Sequence, residues 1–221
     1  MTTQKKSFRG SKVVMFGDSI TFGQWVPDEH KWVNQIIARF QLNGINAGIG
    51  GNTSSQGLER LQTDVLAHQP DFVLINFAMN DHVMTELDIP KVPISTFQSN
   101  LSTMIDEIRN QQATPILVTT NYMIEGDAKL YYYRRHPESY YANVGGAEAW
   151  LEQYIQVVRD TAAAKQVDLV DMHQACAGYD KYEFLRSMQN EANTDDGVHP
   201  SIAGSNVYAR EIGDFLAKVY P

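Results

Sequence analysis

Short runs of β-branched and aromatic residues alternate along this chain with longer stretches in which apolar positions recur every three or four residues. Val13-Val14-Met15-Phe16, Asp71 to Phe77, Pro115 to Thr120 and Val167 to Met172 read as buried strands, with a shorter one around Ile45-Asn46-Ala47. Between them Trp32, Val33, Ile36, Ile37 and Phe40 fall on one helical stripe. So do Phe97, Leu101, Met104, Ile105 and Ile108, and again Trp150, Leu151, Tyr154, Ile155 and Val158. A last stripe, Tyr208, Ile212, Phe215, Leu216 and Val219, predicts a C-terminal helix that closes against the sheet. Strands that are apolar throughout and separated by helices belong in a parallel sheet covered on both faces. The expectation is therefore a three-layer α/β/α sandwich with about five parallel strands, formed by one domain spanning residues 1–221. Right-handed crossovers then bring the functional loops to the carboxyl ends of the strands.

One segment breaks the rhythm. Residues 122–146 follow a strand, are too long for a plain connection and hold six of the eleven tyrosines, together with Arg134, Arg135 and His136. Such an excursion is a lid or binding loop in many compact domains. Two readings stand side by side: rings packed on the domain, or aromatic platforms and hydroxyl donors for a sugar or acyl group. On the second, Tyr131, Tyr132, Tyr133 and Arg134 are candidate substrate-binding residues, and Arg134, Arg135 and His136 form a basic trio suited to an anionic group or simply to solvent.

Composition narrows the partners. Eighteen basic against twenty-six acidic residues leave a net charge of −8 over 221 residues, which lacks the electrostatic footprint of a nucleic-acid binder. The one cysteine, Cys176, forms no intrachain disulfide and supports no multi-cysteine metal motif; it is expected to be a small buried apolar residue. No stretch approaches the roughly 18 apolar residues of a membrane span, and Met1 to Ser11 is polar and basic rather than signal-like, so the expected location is cytoplasmic.

Candidate chemistry gathers at the predicted strand ends. The first strand runs straight into Gly17-Asp18-Ser19-Ile20-Thr21, which stands Ser19 on the functional rim. A serine hydroxyl needs a base and a group to orient that base. Of the six histidines His199 stands out, because Asp196-Gly197-Val198-His199-Pro200 sets a carboxylate three residues before it across a turn-forming glycine. Asp195 is a rival for Asp196, one residue further away. Thr21 occupies the final glycine position of the usual Gly-x-Ser-x-Gly elbow. Donors for a developing oxyanion are offered by Gly50-Gly51-Asn52-Thr53 and by Asn80 in Ala78-Met79-Asn80-Asp81. Asp18 and Asp81 read as turn-holding residues, His82 as a solvated loop residue that is close enough in sequence to point into the site, and His30, His68 and His173 as structural.

Taken together, Gly17-Asp18-Ser19, Gly51, Asn80-Asp81 and Asp196-x-x-His199 resemble the four blocks of the GDSL, or SGNH, hydrolase family across residues 13–200. The resemblance implies a flavodoxin-like α/β/α sandwich. It also implies Ser19 as nucleophile and oxyanion donor, Gly51 and Asn80 as the other two donors, His199 as base and Asp196 as its orienting acid, with no metal or organic cofactor. Two positions depart from the family pattern: Ile20 replaces the usual leucine, and Ala78 replaces the usual glycine of the third block, where the added methyl is expected to displace the Asn80 loop. The implied activity is a serine esterase on short acyl esters, O-acetyl groups on carbohydrate among them; longer acyl chains, as in a lysophospholipase or thioesterase, are the alternative. Two other classes stay open at this point. One is a metal-dependent phosphoesterase using Asp18, Asn80, Asp81, His82, Asp196 and His199. The other is a non-catalytic carbohydrate-binding module, which would have no need of the complete serine, histidine and aspartate set.

Overall fold

The computed structural model describes residues 6–126, 136–186 and 196–221. Five strands, β1 (Lys12–Gly17), β2 (Asn43–Gly48), β3 (Phe72–Asn76), β6 (Thr114–Val118) and β7 (Asp168–Val170), form one parallel sheet in the order β2-β1-β3-β6-β7. The chain first steps from β1 outward to β2 and then crosses back to β3, so the winding direction reverses between β1 and β3. In open α/β sheets of this order the crevice at that reversal, outside the carboxyl ends, is where ligands bind. The remaining two strands, β4 (Met84–Glu86) and β5 (Ile89–Pro90), form a small antiparallel hairpin after β3 that the apolar pattern does not announce.

Helices α3 (Ser54–Asp64), α4 (Ile94–Asn110) and α5 (Ala147–Lys165) pack side by side on one face of the sheet, and α2 (Trp32–Phe40) and α8 (Ile202–Val219) pack on the other. Short α1 (Ser19–Phe22), α6 (Met172–Cys176) and α7 (Lys181–Phe184) complete the helical part. Each predicted stripe becomes a buried face: Trp32, Val33, Ile36 and Phe40 in α2, Phe97, Leu101, Met104, Ile105 and Ile108 in α4. The centre of the sheet is apolar on both sides, β3 being buried at every position and β1 at all but its first.

The differences from the sequence reading have local causes. The fourth predicted strand is shortened, because the Asp171 carboxylate accepts the Gln174 N–H and caps α6, turning Met172 into a helix start. Helix α3 carries a capping box, with Thr53 Oγ1 accepting the Gln56 N–H and Gln56 Oε1 accepting the Thr53 N–H. Of the tyrosines in the irregular segment, Tyr122 and Tyr141 are buried and Tyr140 packs against the core, which is the structural reading of those rings. Tyr131, Tyr132, Tyr133 and Arg134 lie outside the described residues, as do Arg135 and Asp195.

Candidate active site

Ser19 follows β1 without a break. Asp18 ends that turn by accepting the Ile20 N–H on Oδ1 at 2.9 Å, which starts α1 at the serine and confirms the turn-holding role read from the sequence. Ser19 thereby sits at the first position of a helix, where its own N–H is not consumed by the helical ladder. Arg60, a residue the sequence does not single out, clamps the surrounding strand ends from α3. Its guanidinium donates to the carbonyls of Gly17 (2.8 Å) and Ala47 (2.9 Å) and to Asn52 Oδ1 (2.8 Å), and it lies 4.5 Å from the centre of the Phe16 ring.

His199 reaches Ser19 from the far end of the chain. Its Nε2 is 2.7 Å from Ser19 Oγ, and its Nδ1 is 2.9 Å from Asp196 Oδ2. The second carboxylate oxygen, Asp196 Oδ1, accepts the backbone N–H groups of Val198 (2.8 Å) and His199 (2.7 Å). Gly197 makes this turn possible by taking φ +70°, a left-handed conformation that costs a glycine nothing. The turn is tied on three sides: Ile124 N–H donates to Gly197 O, Arg186 N–H to His199 O, and Asn121 Nδ2 to Val198 O. All three side chains of the relay are buried, with Ser19 at 8%, Asp196 at 5% and His199 at 3% exposure. Such a chain of contacts lets an imidazole take a serine proton on Nε2 while the carboxylate holds the opposite ring nitrogen.

The expected oxyanion donors gather around the same serine. The Gly50–Gly51 turn follows β2 and lies against it: a side chain on Gly50 would meet Ser19 Cβ at 4.0 Å. Gly51 has φ +79° and open space where a side chain would stand. Asn80, after β3, is anchored by its amide, which donates to Asn52 O at 3.1 Å and, over a long 3.3 Å, to Asp18 Oδ2. Ala78, at the position where the resemblance expects glycine, is buried and held at φ +129°. An alanine there stores strain of about 1–3 kcal/mol.

Buried carboxyls surround this core. Asp81 accepts the Ser54 N–H on Oδ1 at 2.8 Å, fastening the Asn80 loop to α3. Burial pushes Asp18 up to about 7 and Asp81 up to about 6. His82, read from the sequence as solvated, is wholly buried. Its Nδ1 lies 3.3 Å from Ala78 O, and burial pulls its pKa down to about 4, so the ring is neutral at pH 7. The reason is tertiary: Trp150 of α5 donates Nε1–H to His82 O at 2.9 Å, and Tyr154 and His136 cover the ring.

A small cavity of about 20 Å³ opens beside the serine. Ser19, Asn80 and His199 form its polar side, Met79, Val83 and Val198 its apolar side, and His136 its remaining wall. His136 thus differs from the sequence expectation of an exposed basic trio; it is 5% exposed and faces the site. Trp25 is the other aromatic the sequence reading passes over. It is 62% exposed, takes φ +66°, and has its carbonyl held by Arg186 Nη1 at 3.2 Å, while the adjacent Gln24 N–H donates to Ser19 O. Among the described residues no three of His, Cys, Asp and Glu are grouped so as to hold a metal ion, and no helix is long and apolar enough to cross a membrane.

Comparison with known proteins places this geometry. Residues 15–207 match the model of the GDSL-like lipase/acylhydrolase family. The chain is 38% identical to the lipoprotein YqeF of Bacillus subtilis over 168 residues, covering 72% of this chain and 69% of that protein. It is 28% identical to an acetylxylan esterase of Geobacillus stearothermophilus over 222 residues, covering 91% of each. Among solved structures, a lipase/acylhydrolase from Enterococcus faecalis superposes with a TM-score of 0.71 at 28% identity, covering 94% of this chain and 96% of that one.

Proposed function

The chain belongs to the GDSL-like lipase/acylhydrolase family and is a hydrolase of carboxylic esters, and from that premise we propose that Ser19, His199 and Asp196 carry the reaction and that its preferred esters are short, acetyl foremost, on a carbohydrate alcohol. Ser19 Oγ attacks the ester carbonyl as His199 Nε2 takes its proton, and Asp196 stabilises the imidazolium that forms. The Ser19 and Gly51 N–H groups and the Asn80 amide receive the oxyanion. His199 then gives its proton to the leaving alcohol, and water, activated by the same imidazole, releases the acid and restores Ser19.

The observation that carries the catalytic assignment is the unbroken relay from Ser19 through His199 to Asp196, with separations of 2.7 and 2.9 Å. The short acyl preference is supported by the cavity, whose volume of about 20 Å³ compares with the roughly 10–15 Å³ that one water-sized group occupies. An acetyl methyl fits such a space and a fatty chain does not. For the alcohol side, the relative named acetylxylan esterase points to a sugar. Trp25, exposed a few residues from the serine, offers the flat apolar face on which a sugar ring stacks. The cytoplasmic placement read from the sequence stands against the lipoprotein name of the Bacillus subtilis relative, and cell fractionation decides between them.

Hydrolysis of p-nitrophenyl esters from acetate to decanoate, by wild type and Ser19→Ala with and without chelator, tests the proposal. Turnover that peaks at acetate, ignores chelator and disappears in Ser19→Ala is the expected result. A peak at octanoate or decanoate would favour the longer-chain alternative, and chelator-sensitive turnover surviving in Ser19→Ala would overturn the serine mechanism.

A further inference from the structure

The cavity beside Ser19 is walled on one side by a residue outside the family's motif blocks. We infer that His136 is the wall that sets how long an acyl chain the site accepts, an inference that rests on the short-acyl reading above.

His136 is fixed along one edge and across one face. At the edge, Nδ1 is 2.8 Å from Tyr141 Oη, and that same oxygen accepts the Met84 N–H at 2.9 Å. Burial raises the Tyr141 phenol to about 12, so it keeps its single proton throughout the working range. A buried O–H proton left without an acceptor is costly, and the arrangement that avoids this has Tyr141 donating to His136 Nδ1. Across its face, His136 stacks on His82 with ring centres 5.3 Å apart and planes at 12°. His82 cannot yield, because its ring is buried under Tyr154 and its carbonyl is held by Trp150 of α5. The wall is therefore backed by α5 and by the β4 strand that carries Met84, and it lines the cavity together with apolar Met79 and Val83.

A wall held this way excludes further carbons by volume rather than by charge. Close packing leaves a second or third methylene no room on the His136 side unless the ring moves, and moving it breaks the Tyr141 hydrogen bond and the His82 stack. One methylene more or less in an apolar pocket changes kcat/KM by about 10- to 200-fold.

The experiment is the ratio of kcat/KM for p-nitrophenyl butyrate to that for p-nitrophenyl acetate, measured in wild type, His136→Ala and His136→Phe. We expect the ratio to rise about tenfold or more in His136→Ala, with the optimum moving to four or more carbons. In His136→Phe, which keeps a ring in the wall, the acetate preference should be retained. A folded, serine-dependent His136→Ala enzyme with an unchanged ratio would overturn the inference, and so would equal shifts in the two variants. Should the alanine variant fail to fold by circular dichroism, His136→Val shortens the wall while keeping contact with His82 and is judged by the same ratio. If instead Ser19→Ala retains acetate turnover, it is the serine reading that falls. A merely structural role for His136 would lower all rates together and leave the ratio alone.

Discussion

Two turns face each other across Ser19, and they are built in opposite ways. The turn from Asp196 to His199 is relaxed and saturated: both carboxylate oxygens are used, the left-handed position is a glycine, and neighbouring segments hold three of its carbonyls. The turn from Ala78 to His82 is strained and under-satisfied. An alanine sits at φ +129°, and Asp81 Oδ2 and His82 Nε2 are buried without hydrogen-bond partners. The contrast fits the two roles proposed for these turns. A proton relay needs a fixed distance and tautomer, which short hydrogen bonds provide at little cost. An oxyanion site needs donors held in place before charge develops, and strain backed by contacts with α3 and α5 is one way to hold them.

The contrast can be broken from the relay side first. Asp196→Asn leaves the turn's geometry largely in place but removes the acceptor that sets the His199 tautomer, and kcat should fall by about 10⁴-fold. Loss of Ser19 or His199 should cost at least as much, with the melting temperature close to wild type in each case. The effect on the other turn should be smaller: Asn80→Ala removes one of three donors and is expected to lower kcat by about 10²- to 10³-fold with KM little changed. A steady-state comparison of the two variants on p-nitrophenyl acetate ranks the turns, and equal losses would contradict their division of labour.

Asp18 ties the start of α1 to the second of these turns, accepting from the Ile20 N–H and from Asn80 Nδ2, and it offers a test through pH. Burial pushes its carboxyl up to about 7, from an ordinary value of 3.8. Between those values the folded state binds the extra proton, so stability is fullest below about pH 4 and is lost as pH rises through 7. Unfolding free energy from urea titration should drop by about 2–3 kcal/mol between pH 5 and pH 8 on account of this group. In Asp18→Asn that contribution should vanish, leaving the same-signed one of Asp81 and the opposite-signed one of His82, whose buried ring holds a proton less well than in the unfolded chain. The smallest expected effect belongs to Ala78→Gly. Relief of strain exceeds the added freedom of the unfolded chain, giving a gain of about 1 kcal/mol, or roughly 2–4 °C in melting temperature by calorimetry. A loss of stability would show that Ala78 is not strained.

Much of this was legible in the residues. The parallel sheet follows from apolar runs of strand length set between helical stripes: β1 and β2 contain the runs predicted for them, β3 lies within its run, and β6 ends two residues before its run does. The relay was legible because each half is a local pattern: a serine straight after a buried strand, and a carboxylate three residues before a histidine across a glycine. Helix α3 was passed over although Thr53 and Gln56 carry a capping box, because its exposed positions dilute the stripe made by Gly57 and Leu61. The strand ending at Met172 was overrun because an aspartate that caps a helix looks, in an alternating apolar run, like an ordinary strand residue.

His82 and His136 mark the limit of local pattern. Each stands among polar or charged neighbours, Asn80-Asp81 before one and Arg134-Arg135 before the other, and a solvent-facing reading of both follows from that setting. Their burial comes from Trp150, Tyr154 and Tyr141, which approach from other elements. By itself the sequence determined the layered fold, the rim on which chemistry would sit and the motif residues that occupy it, because helical and strand periodicity and turn chemistry act within a few residues. Only the tertiary structure decided that Ser19 and His199, 180 residues apart, stand 2.7 Å from one another, and that a histidine from the tyrosine-rich excursion lines the pocket beside them. Those contacts depend on sheet order and helix packing, which sum weak apolar forces over the whole chain and leave no signature at any one position.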